Sequence, residues 1–60
     1  MKKFAYKEFS TESDVCDQLE TWSKNGWNLN VMFVKITRIM DKIVIFYDSI
    51  LDRGTFDPAL

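Results

Sequence analysis

Two segments in the second half of the chain, Trp27 to Met40 and Lys42 to Leu51, are apolar at successive positions rather than alternate ones. In the first, Met32, Val34 and Ile36 alternate with Leu29, Val31 and Phe33. In the second, Val44 and Phe46 alternate with Ile43, Ile45 and Tyr47. A strand with one face in water carries a polar residue at every second position, so these runs read as strands that are apolar on both faces. The chain holds one helical segment, enough to cover one face of a small sheet. A second apolar surface is left over and must be covered by something else.

The size of the chain sharpens that requirement. Sixty residues make one domain near the lower limit for folding alone, because ordering each residue costs roughly 1.5 kcal/mol of conformational entropy. Domains this small usually add disulfides, a metal or association with another chain. Cys16 is the only cysteine and there is no histidine, so neither an internal disulfide nor a zinc site can be built. Association is the remedy left, and the expectation is a homo-oligomer.

Eight basic against nine acidic side chains give a net charge of −1, without the basic stripe of a nucleic-acid binder. Lys2, Lys3 and Lys7 are the only basic grouping, and Glu8, Glu12, Asp14 and Asp17 follow at once. Lys35, Arg38, Asp41 and Lys42 break the apolar region well short of a membrane span. The first residues, Met-Lys-Lys-Phe-Ala-Tyr-Lys, have no apolar signal-peptide core. With a single cysteine, the expected location is the cytoplasm.

Lys3 to Phe9 alternates as a half-buried strand, with Phe4 and Tyr6 on the face expected to join the core. Ser10-Thr11-Glu12-Ser13-Asp14 is a helix start, with Thr11 as cap and Asp14 three residues on. Val15, Cys16, Leu19 and Trp22 then form an apolar stripe at helical spacing, and Lys24 lies in the last turn. Asn25-Gly26 stops the helix. Gly26 suits the left-handed conformation, and Trp27 falls where a Schellman cap brings it against Trp22. A turn is expected around Met40-Asp41-Lys42, and Asp52-Arg53-Gly54 is expected to end the last strand.

The order strand, helix, strand, strand predicts an α+β fold: a single βαββ domain over 1–51 with a C-terminal tail, 52–60, loosely ordered or lying on a neighbour. The crossover makes the first two strands parallel. Ile43 to Tyr47, the most uniformly apolar run, belongs in the centre of a three-stranded sheet with the helix on one face. The other face is expected to carry Met32, Val34, Ile36, Val44 and Phe46 as the partner or oligomer interface.

Met1-Lys2-Lys3-Phe4-x-Tyr6-Lys7, the spaced apolar helix, Gly26-Trp27-x-Leu29 and the closing Ile-Phe-Tyr strand together resemble the short bacterial and phage proteins grouped as domain of unknown function 4177. Those proteins read Lys-x-x-Tyr-Lys-Val at the start and Gly-Trp-Glu-Leu after the helix. Here Asn28 stands in place of the acidic residue and Glu8 in place of the valine. The resemblance covers about the first fifty positions. It implies a strand-helix-strand-strand fold and a viral accessory protein, and it brings no activity and no functional residues.

Catalytic chemistry has little to build on. Cys16 near a helix N-terminus has no histidine to serve as base, and on the apolar stripe it is expected to be packed. Asp41 suits the turn, Asp52 the strand end, and Asp48 the border of the second apolar face, so no metal site or acid–base pair is expected. Gly26 and Gly54 stand apart and form no phosphate loop. Glu12, Asp14, Asp17 and Glu20 make an acidic helix face, solvated or serving to dock a basic partner. The expected function is a non-enzymatic protein-interaction module without cofactor, which binds and modulates or inhibits a host protein. One alternative is a nucleic-acid module using Lys2, Lys3, Lys7, Lys35 and Arg38 around exposed aromatics. Another is a small-molecule binder with a pocket between subunits.

Overall fold

The caps at the two ends of the helix form as the sequence requires. In the computed structural model, which describes residues 3–57, helix α1 runs Glu12–Lys24, and the Asp14 amide donates to Thr11 Oγ1 at 3.2 Å. At the other end the Gly26 amide donates to the Ser23 carbonyl and the Trp27 amide to the Trp22 carbonyl. This is the Schellman pair of bonds, with Gly26 at φ +96°. Trp22 and Trp27 are both buried in the core.

Strands β1 (Phe4–Phe9), β2 (Val34–Ile39) and β3 (Lys42–Asp48) form one sheet in the order β1-β3-β2. The last strand is central and antiparallel to both neighbours, so β1 and β2 run parallel. The fold is α+β, βαββ, as the apolar density of Ile43 to Tyr47 requires. Ile43, Ile45 and Tyr47 meet Val15 and Trp22 of α1 in the core, and the Trp22 and Tyr47 rings lie 4.8 Å apart.

Several expectations are corrected. The apolar run from Trp27 does not pair throughout: 28–32 is a loop, and only Val34–Ile39 is strand. Leu29 and Met32 pack down onto the core from that loop. Strand β3 ends at Asp48, whose carboxylate caps a 3₁₀ helix, Ser49–Arg53, by accepting from the Ile50 amide at 3.1 Å. Leu51 of that helix is fully buried.

The residues beyond Arg53 are not a loose tail as far as the structure describes them. The Phe56 amide donates to the Asn25 carbonyl at 2.7 Å and its ring meets Trp27 edge-on at 5.1 Å. Trp27 Nε1 donates to the Gly54 carbonyl at 2.6 Å. The last part of the expected tail, 58–60, lies outside the described residues.

Cys16 is exposed rather than packed. It follows Val15 by 100° of helical rotation, and Val15, Leu19 and Trp22 are the stripe that reaches the sheet.

Candidate functional site

The register decides which side chains share a face. Phe4 pairs with Asp48, Tyr6 with Phe46 and Glu8 with Val44. Lys35 pairs with Phe46, Thr37 with Val44 and Ile39 with Lys42. Since side chains of directly paired residues lie on the same side of a sheet, one face carries Phe4, Tyr6 and Glu8 on β1, Lys42, Val44, Phe46 and Asp48 on β3, and Lys35, Thr37 and Ile39 on β2. The opposite face carries Ala5, Lys7, Phe9, Ile43, Ile45, Tyr47, Val34, Ile36 and Arg38. The core forms on that second side, and we call the first the open face.

This arrangement splits the expected interface. Val44 and Phe46 lie on the open face, but Val34 and Ile36 lie on the helix side and Met32 packs against the core. The cause is the length of the turn. Ile39 pairs with Lys42, leaving only Met40 and Asp41 between the strands, so even-numbered residues of β2 share a face with odd-numbered residues of β3. A three-residue turn through Lys42 would have put 34, 36, 44 and 46 together; one residue fewer exchanges the faces of β2.

Phe4 and Tyr6, expected in the core, are also corrected to the open face, where they are 63% and 64% exposed. Strand β1 has aromatics in one phase and Ala5, Lys7 and Phe9 in the other, and the core takes the second set. Phe4 meets Phe33 at 5.1 Å, edge to face, on the row that Asp48 occupies, and Tyr6 meets Phe46 at 6.2 Å. Val44, between Glu8 and Thr37, is 4% exposed without belonging to the helix-side core. The open face is thus an aromatic surface with a small buried floor, fringed by Glu8, Asp48, Lys35 and Lys42.

Three other places carry polar or apolar chemistry. Between α1 and β2 lies an open groove of about 400 Å3 lined by Val15, Cys16, Leu19, Ile36 and Ile43, with Arg38 Nη2 and Glu12 Oε1 3.8 Å apart at its edge. Near the 3₁₀ helix, buried Tyr47 donates its hydroxyl to Asp52 Oδ2 at 2.7 Å. Lys7 Nζ stands 3.8 Å from Asp52 Oδ1 and 5.9 Å from the Tyr47 ring centre. Burial first, and then the bond to and charge of Asp52, push the Tyr47 phenol up from 10.0 to about 12. This cluster fastens the 3₁₀ helix to the sheet.

The helix carboxylates Glu12, Asp14, Asp17 and Glu20 are all exposed. Among the described residues no three His, Cys, Asp or Glu side chains gather as metal ligands, and no helix is long and apolar enough to cross a membrane. The basic residues expected to serve a nucleic-acid module do not share a face, although Lys42 joins Lys35 on the open one. Lys35 is on the open face and Lys7 and Arg38 are on the helix side, Lys3 precedes β1, and Lys2 lies outside the described residues. No protein-family model, curated protein or solved structure matches the chain.

Proposed function

We propose that this chain is a non-enzymatic interaction module that binds another protein surface through the open face of its sheet. The observation that carries this is the placement of Phe4 and Tyr6, nearly two-thirds exposed beside Phe33 and Phe46 on a regular sheet. Exposed aromatics at this density mark interaction sites, because a fully buried aromatic removes 150–250 Å2 from water. The exposed parts of Phe4 and Tyr6 alone correspond to roughly 2–3 kcal/mol each of transfer free energy, an upper bound on what association yields. In the setting that its resemblance implies, the module is a cytoplasmic viral accessory protein that modulates or inhibits a host protein.

A face of stacked aromatics also suits single-stranded nucleic acid, and Lys35 lies in the same row as Tyr6 and Phe46. Against this stand Glu8 and Asp48 on the same face, which balance Lys35 and Lys42 and leave it without net positive charge. Immobilised wild-type chain and a Phe4→Ser/Tyr6→Ser variant, each exposed to bacterial lysate with and without nuclease, separate the readings. The expected outcome is a set of proteins retained by the wild type after nuclease treatment and reduced at least about tenfold by the variant, a loss of about 1.4 kcal/mol or more. Circular dichroism of the variant should be unchanged, since both side chains are exposed. Equal retention by the variant overturns the assignment, and loss on nuclease treatment assigns the face to nucleic acid.

A further inference from the structure

We infer that the open face is self-complementary and that, until a protein partner displaces it, its occupant is a second copy of this chain, stacked so that the two β3 strands cross in antiparallel sense. The inference rests on the reading of the open face as a binding surface. Along β3 that face reads Asp48, Phe46, Val44, Lys42: an anion at one end, a cation at the other and two apolar residues between, over about 20 Å of strand.

Two simple twofold axes can bring this face against itself. An axis parallel to the strands sets Asp48 on Asp48 and Lys42 on Lys42 of the second copy, two like-charge contacts. An axis across the strands, between Phe46 and Val44, sets Asp48 on Lys42 and Phe46 over the row of the buried Val44, each contact occurring twice as isologous symmetry demands. The flanking strands tolerate either axis, so the charges at the two ends of β3 decide. Under the second axis Phe33 meets Ile39, Tyr6 brings its hydroxyl to the Glu8 carboxylate, Lys35 lies over Thr37 and Phe4 reaches past the end of the other β1 to Ser10, so no like charges oppose. Three strands about 4.8 Å apart and about 20 Å long give a footprint of roughly 300 Å2 per copy, below that of stable specific interfaces, so the dimer is a weak and transient one.

Sedimentation equilibrium of the full chain tests both the occupant and the axis. Four chains suffice: wild type, Asp48→Asn, Lys42→Glu and the double variant. Asparagine at 48 keeps a side-chain oxygen for the Ile50 amide, so the cap on the 3₁₀ helix is retained. The expected pattern is a change of sign. Asp48→Asn weakens the wild-type dimer about three- to tenfold by removing two attractive contacts, yet strengthens the Lys42→Glu dimer by removing two repulsive ones. Strengthening in both backgrounds means that Asp48 faces Asp48, and overturns the proposed axis. No effect in either background overturns it as well.

A wild type that stays monomeric to several hundred micromolar overturns the dimer. The interaction reading survives that result if the Phe4→Ser/Tyr6→Ser variant still loses its lysate partners. A dimer indifferent to Phe4→Ser/Tyr6→Ser, together with equal lysate retention, overturns both.

Discussion

Tyr47 shows how one residue joins three elements. Its ring packs on Trp22 of α1, its backbone is the middle of the sheet, and its hydroxyl holds Asp52 of the 3₁₀ helix. Tyr47→Phe keeps the ring and loses the bond, and Asp52 is free to return to water because its side chain is 44% exposed. The expected cost is about 1 kcal/mol in urea denaturation at neutral pH. The phenol, raised from 10.0 to about 12, adds a pH signature. A folded state that holds this proton more tightly than the unfolded chain has its full contribution below about pH 10 and loses it as pH rises toward about 12. The limiting slope is about 1.4 kcal/mol per pH unit. Wild type should therefore lose stability more steeply than Tyr47→Phe across that window. Parallel pH profiles would show that Tyr47 ionises as freely folded as unfolded.

Among the elements, the β2–β3 hairpin is where the sequence was hardest to read. The helix was legible because each of its ends has a side-chain or glycine signal: Thr11 three residues before Asp14, and Gly26 before Trp27. The central place of β3 was legible from the unbroken apolar run Ile43 to Tyr47. The turn has no such signal, since Met40-Asp41 is neither Asn-Gly nor Asp-Gly. Its length in turn decides which residues of β2 join the open face, so Val34 and Ile36 of the expected interface lie on the other side. The structure shows the mismatch directly: Met40, the first of the two turn residues, holds φ +56°. That conformation costs a side-chain-bearing residue roughly 1–2 kcal/mol, and glycine adopts it freely. Met40 is 92% exposed, so removing its side chain forfeits little packing. Met40→Gly is expected to stabilise the protein by up to about 1 kcal/mol, read as a rise in thermal midpoint. A fall would mean that the turn does not hold this residue at positive φ.

At the scale of the whole molecule, the same shortage of core that leaves the open face uncovered explains why the chain closes on itself beyond the sheet. One helix of thirteen residues cannot seal the helix side alone, and the open groove beside β2 marks where its cover ends. The 28–32 loop and the 3₁₀ helix supply Leu29, Met32, Ile50 and Leu51 to the core. The segment after Arg53 then folds back so that Phe56 meets Trp27 at the helix stop. This closure was not legible because nothing in Gly54-Thr55-Phe56 has a period; its partner, the ring of the tryptophan that follows the helix cap, takes its place only once the helix has ended. The domain therefore extends past position 51, and the tail contributes to its stability. Phe56→Ala should cost about 1–2 kcal/mol, combining a half-buried aromatic with the ring–ring contact. The Gly26 Schellman bonds should survive, since they involve neither Phe56 nor its ring. Chemical denaturation followed by tryptophan fluorescence reads both consequences: a lower midpoint, and a native spectrum shifted to the red as Trp27 gains solvent. An unchanged midpoint and spectrum would place Phe56 away from Trp27 in solution and return the segment after Arg53 to the role of an arm.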